Sequence, residues 1–193
     1  FPLSAAGVAL LAEAQGWGVF NLTGAPAWLA LPLGVVLLDL TIYAQHVLFH
    51  HVPWLWRLHR VHHADTVLDV STGLRFHPIE ILISMTIKIA AVLLIGVPPL
   101  AVVAFEVILN ATAMFNHANI HLPERLDRLV RLVIVTPDMH RVHHSVLRAE
   151  TDSNYGFNLP WWDWLFGTYR AEPSAGRACV EIGIGGFSGA GEQ

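Results

Sequence analysis

The sequence predicts an all-α integral membrane protein, built of transmembrane helical hairpins and carrying a cytosolic, histidine-rich helical cap. Three observations predict it. The composition is 54% hydrophobic and only 13% charged, with a mean hydropathy of +0.50, which belongs to a bilayer and not to a water-soluble domain. Apolar runs over 27–49 and 79–115 are long enough to cross a hydrocarbon core of about 30 Å. Ten of the twelve histidines fall in four clusters at or just beyond the ends of those runs. The net charge of −4 argues against a nucleic-acid surface. A single cysteine, Cys179, excludes an intramolecular disulfide framework and thiolate metal sites.

Residues 1–170 read as the membrane-embedded domain, and 171–193, rich in Gly and Ser, as a mobile tail. The first residue is Phe and no basic n-region with a cleavage site follows, so the natural N-terminus is expected upstream. Residues 3–20 are apolar but interrupted by Glu13, Gly16 and Gly18, and fit either the end of a span or a helix at the membrane interface. The run 27–49 is a span. Asp39 within it is costly in lipid and is expected to face the protein interior, on one helical stripe with Tyr43, His46 and His50. It is a candidate either to support a ligand or to pair with Lys88. His51-Val52-Pro53 ends the span, and Pro53 opens a helix over PWLWRLHRVHH, whose Trp54 and Trp56 suit the headgroup level.

The apolar block 79–115 is too long for one crossing and breaks at Gly96-Val97-Pro98-Pro99, so it reads as a hairpin that returns to the side it left. Residues 122–135 combine Leu122, Leu126, Leu129, Leu132 and Val133 with five charges, as in an amphipathic helix on the inner leaflet. Thr136-Pro137-Asp138 is a helix start, with Thr as cap and Pro in the first turn. Of the eleven Lys and Arg, ten lie in the histidine-bearing connections or beyond the last span. The positive-inside rule therefore puts the histidines in the cytoplasm.

The clusters have helical same-face spacing. His46 and His50 stand at i, i+4, as do His117 and His121, while His59, His62 and His63 form the pentapeptide HRVHH that returns letter for letter at His140, His143 and His144. Each cluster can aim its imidazoles at one point. Ten imidazoles supply two metals, and neutral nitrogen donors suit Fe, Cu, Zn or Ni and not Mg or Ca. A structural zinc needs only four ligands. Two redox metals at a lipid boundary suit dioxygen activation against an unactivated C–H bond. A histidine-rich haem- or metal-binding electron-transfer protein is the competing class, although a haem needs only two axial ligands.

DLxxYxxHxxxH, HRVHH, RFHPxE, NHxxxH, TPDMHRVHH and NYGxNLPWWDxLFGTY together resemble the fatty acid hydroxylase/sterol desaturase superfamily, over about Asp39 to Tyr169. The likeness is nearest to its bacterial members. It implies a bacterial inner-membrane enzyme with its metal site facing the cytoplasm. Two Fe ions would be held by His46, His50, His59, His62, His63, His117, His121, His140, His143 and His144. Dioxygen would hydroxylate or desaturate a lipid substrate, with electrons from a separate donor protein. His51 is an alternative to His50 as ligand, and His77, in the family's HP element, is a candidate active-site residue. The aromatic segment 152–169 reads either as a lid at the membrane interface or as a cap over the metal site, with Asn154, Tyr155 or Asp163 as candidates to orient ligand imidazoles. Two departures stand out. Val47 replaces the usual Arg after the first histidine, and His121 occupies a position where similar bacterial sequences carry Arg.

Overall fold

A computed structural model describes residues 4–176 and 180–185. Cys179 and the last eight residues of the predicted tail lie outside them. Among the described residues the regular secondary structure is helical, with one isolated antiparallel bridge between Ser145 and Ile182. The chain forms two compact units, one of residues 1–45 and 78–110, the other of residues 46–77 and 111–193. The divisions fall inside two long helices, after Gln45 and after Asn110.

In the first unit, α1 (Ala5–Gln15) starts at Ser4, whose Oγ accepts from Gly7 N, and ends at Gly16 in the left-handed region. Its eleven residues are too few to cross a bilayer. Instead Ala5, Ala9 and Ala12 form a buried stripe of small side chains, and α1 packs against α5 (Pro78–Ile95). Small residues let two helix backbones approach closely. After the short α2 (Val19–Thr23), α3 (Ala27–His51) runs for 25 residues, and α5 and α6 (Pro99–Asn116) for 18 each. All three are long and apolar enough to span a membrane, with α5 and α6 separated at the predicted Gly96-Pro99 break. Gly18 and Gly96 meet back to back with φ of 90° and 74°, and a Cβ on Gly18 would lie 2.2 Å from Gly96 N. Within the unit Lys88 Nζ bonds Glu106 Oε1 at 2.7 Å and Gln45 Nε2 donates to Ser84 Oγ.

The second unit takes the last turn of α3 and adds α4 (Pro53–His59), the 3-10 turns His62–Ala64 and Thr72–Leu74, the end of α6, α7 (Glu124–Val130), α8 (Pro137–His143), α9 (Arg148–Thr151) and α10 (Trp161–Phe166). Two helices are shorter than expected. The PWLWRLHRVHH helix stops at His59 and turns at Arg60-Val61, and the helix expected over 122–135 covers only α7. In α7 one charge turns inward: Asp127 is buried, and Arg131 just beyond the helix pairs with it and donates to Tyr169 Oη and Ala171 O, while Glu124, Arg125 and Arg128 are exposed. Leu126, Leu129, Leu132 and Val133 are exposed. These apolar side chains are available to lipid. Part of the predicted tail is not loose: Val146 N donates to Glu181 O and Gly183 N to His144 O, so residues 181–183 lie along the end of the second pentapeptide.

Candidate metal centre

Each histidine cluster is placed by a local helical rule. α3 continues through His51, so His46 and His50 project from one face, one turn apart. α4 begins with Pro53 at its first position and presents His59 at its end; the 3-10 turn then presents His62 and His63. α8 is capped by Thr136 Oγ1, which accepts from Met139 N, and carries His140 and His143, with His144 immediately after. His117 follows the last residue of α6.

Nine of these side chains converge into two groups, His46, His50, His59, His63 and His143 in one and His62, His117, His140 and His144 in the other. Within each group the candidate ligand atoms lie within 4.8 Å of one another, and all nine residues are buried. The partition cuts through both pentapeptides. His59 and His63 join the first group and His140 and His144 the second, while each middle histidine crosses over: His62 joins the second and His143 the first. The expectation that one pentapeptide aims at one point is thus corrected. The middle histidine crosses over in both copies, although α8 is helical through His143 while the first copy turns after His59: at 3.6 residues per turn, positions i and i+4 lie about 40° apart and i+3 lies about 60° to the other side.

The two halves are nearly equivalent. His59–His63 and His140–His144 ring centroids lie 4.9 and 4.8 Å apart at 66° and 68°, and His62–His144 and His63–His143 lie 4.8 and 4.7 Å apart. Nε2 atoms face one another at 3.1 Å for His46–His59, 3.3 Å for His59–His63, 3.0 Å for His62–His117, 3.0 Å for His117–His140 and 3.2 Å for His140–His144. Two imidazoles bound at right angles to one metal, each by a bond of about 2.1 Å, bring their nitrogens to about 3.0 Å.

Backbone carbonyls fix which nitrogen points inward. His46 Nδ1–H donates to Tyr155 O at 2.8 Å, His117 Nδ1–H to Ala113 O at 2.7 Å and His143 Nδ1–H to Ser153 O at 2.8 Å. This leaves each Nε2 lone pair for the group. His50 Nδ1 lies 3.4 Å from Asp152 Oδ1. Among the described residues the buried Nε2 atoms of His50 and His143 have no hydrogen-bond partner, as donor atoms for a cation would not. Burial pushes the His59 imidazole down to about 3 and the His117 imidazole down to about 4. Burial, and then crowding by the other imidazoles, puts His62, His63, His140 and His144 well below the usual histidine range. These nitrogens are neutral lone-pair donors near pH 7, the form that ligates. The residues present therefore fit a metal of the iron, copper, zinc or nickel type in each group.

His121, expected as a tenth ligand, stands outside both groups. α6 ends at Asn116, whose Nδ2 donates to Phe157 O, so His117 and His121 share no helix face. His121 Nδ1 is instead 2.7 Å from Asp138 Oδ1, with its side chain 57% exposed. His51 is also outside, its Nε2 3.4 Å from Tyr155 Oη, and His77 is half-buried outside both groups. Asp39 and Tyr43 are buried in the first unit. Asn154, at φ 50°, clips the chain: its Nδ2 donates to Met139 O and Arg170 O, and its Oδ1 accepts from Arg170 N. Asp163 accepts from Tyr155 N, Gly156 N and Thr168 Oγ1, and so holds the loop whose Tyr155 carbonyl orients His46. Burial pushes the Asp163 carboxyl up to about 6 against those three bonds.

Sequence reasoning missed several neighbours of the site. Trp56, expected at the headgroup level, packs on His50 and His63 and lies under the Arg148 guanidinium. Phe76 stacks on His62 at 4.3 Å. The supporting groups Ala113 and Ser153 act through carbonyls, which every residue has, so no side-chain motif announces them, while Tyr155, a candidate from the sequence, orients His46 through its carbonyl.

Residues 31–168 match the family model for fatty acid hydroxylase. The chain is 34% identical over 155 residues to ornithine lipid hydroxylase OlsE of Rhizobium tropici, covering 80% of this chain and 45% of that protein. It is 33% identical over 162 residues to alkylglycerol monooxygenase of Homo sapiens, covering 82% and 34%. It is 29% identical over 142 residues to Delta(7)-sterol-C5(6)-desaturase of Nicotiana tabacum, covering 70% and 48%. The chain thus spans less than half the length of each of these relatives. No solved structure matches it.

Proposed function

The chain belongs to the fatty acid hydroxylase family, and from that premise we propose that it is a membrane di-iron oxidoreductase that uses dioxygen to hydroxylate, or desaturate, a C–H bond of a lipid. The observation that carries the proposal is the pair of buried, all-imidazole groups. His46, His50, His59, His63 and His143 would hold one iron and His62, His117, His140 and His144 the other. Iron there supplies the redox chemistry with dioxygen that an unactivated C–H bond requires.

The protein's own part is to hold and to shield. Carbonyls of Tyr155, Ser153 and Ala113 keep three imidazoles in one tautomer, and Asp163 keeps the Tyr155 carbonyl in place. Phe49, Phe76, Tyr155 and Phe157 ring the histidines with aromatic surface that excludes water. No imidazole is assigned proton transfer. Hydroxylation consumes dioxygen, two electrons and two protons and releases water, so an electron donor is required, and the proposal assigns that part to a donor protein. The three apolar helices support a lipid substrate drawn from the bilayer, as do relatives named for ornithine lipid, alkylglycerol and sterol. The placement of Lys and Arg supports an orientation with the histidines on the cytoplasmic side, and the likeness to a Rhizobium tropici enzyme supports a bacterial inner membrane.

The test is metal content by mass spectrometry and an absorption spectrum on protein purified in mild detergent from iron-supplemented cells, followed by reductant, 18O-labelled dioxygen and a bacterial lipid extract. About two irons per chain, no Soret band and a lipid carrying the label, or a new double bond, are expected. A stoichiometric haem band, or iron-loaded protein that leaves every lipid unchanged, would overturn the proposal.

A further inference from the structure

The near-equivalence of the two groups has one break. Under the correspondence set by the repeated pentapeptide, His59 matches His140, His62 matches His143 and His63 matches His144, with ring geometries that agree closely, and His46 matches His117, with His46–His59 at 4.9 Å and 76° against His117–His140 at 4.3 Å and 74°. By sequence His50 should match His121. His50 sits 4.7 to 5.1 Å by ring centroid from His143, His59, His63 and His46. His121 has no such place: α6 has ended five residues before it, and Asp138 holds its imidazole at 2.7 Å on the exposed side. Among the described residues no other His, Cys, Asp or Glu joins the second group.

We propose that the two metal positions are unequal. The second, held by His62, His117, His140 and His144, keeps one more coordination position open to a small exogenous ligand than the first, which His50 fills. This rests on reading the two groups as metal sites, as in the proposed function, and adds which of them a small diatomic or pseudohalide molecule reaches. His50 makes the difference by occupying the corner of the first group. Asp138 acts as a positioning residue by keeping His121 away from the second.

The experiment is an azide titration of the full chain loaded with 57Fe in detergent, followed by Mössbauer spectroscopy. Two quadrupole doublets of equal area are expected, one shifting at an azide concentration about tenfold lower than the other. His117→Ala should remove the responsive doublet and keep the other, and His46→Ala should do the reverse. His121→Ala should keep both. Equal response of the two doublets, no response from either, or loss of a doublet in His121→Ala overturns the inference. If His46→Ala or His117→Ala does not fold, the titration of the unaltered protein still decides. The outcomes also separate this inference from the proposed reaction: selective azide binding without lipid product overturns only the reaction, and product with two equally responsive doublets overturns only the inequality.

Discussion

The imidazoles of His63 and His144 stack face to face, 4.3 Å apart and at 22°. Each is the last residue of its own HRVHH copy, and each belongs to a different group. The stack marks where the two halves meet, and on either side of it the middle histidines cross over. Neither pentapeptide owns a metal.

That crossing sets an unusual pattern for double variants. His62→Ala/His144→Ala removes two donors from one group and should retain about one metal per chain. His62→Ala/His63→Ala removes sequence neighbours from different groups and should lower the content of both sites. Metal analysis of the two proteins decides it, and equal metal contents would contradict the partition.

Gly73 stands where a side chain would strike the support of one group only. A Cβ there would lie 2.7 Å from Ala113 O and 3.2 Å from His117 Nδ1, the two atoms that bond at 2.7 Å. Gly73→Ala should lower affinity at the second position by about 10- to 100-fold, the usual effect of disturbing a ligand's hydrogen-bond partner. The first position should keep its metal. Competition with a chelator reads both.

Acid should loosen the metal-free protein. His59 and His117 have folded-state values of about 3 and about 4 against an ordinary 6.5, so between those limits the unfolded chain binds more protons. Stability then rises with pH across that window, by up to about 1.4 kcal/mol per pH unit for each such site. Its melting temperature should be flat above pH 7 and fall from about 6.5 downward. A melting temperature unchanged down to pH 4 would show that these imidazoles are not neutral by burial.

The Lys88–Glu106 pair joins two candidate spans, its side chains 12% and 34% exposed. Lys88→Met alone strands a carboxylate in an apolar setting and should cost roughly 3 kcal/mol. Lys88→Met with Glu106→Gln should recover most of that loss. Thermal melting in detergent compares the three proteins, and an additive double variant would argue against the pair.

Much of this was legible in the residues. Apolar runs with a Gly-Pro break specify three spans by length alone, and an exact pentapeptide repeat among i, i+4 histidines specifies where donors gather. What was not legible is where helices stop. HRVHH and NHANIH read as continuous helical faces, yet the first bends after His59 and the second ends at Asn116. The second stop removes His121, and the crossing of His62 and His143 follows from the i+3 offset that both copies share. For Asp163 the residue was legible and the route was not: it acts on His46 through the Tyr155 carbonyl, a link that exists only after that loop has folded.

The crossover also has a consequence for how the protein is made. Each group draws donors from pentapeptides separated by about 80 residues, a loop whose closure must come before the contacts that reward it. A ribosome that has delivered only the first pentapeptide has delivered no complete site. On the proposed function, metal capture would be a late event in biosynthesis, one that follows emergence of His144: a product truncated before it would hold neither group complete.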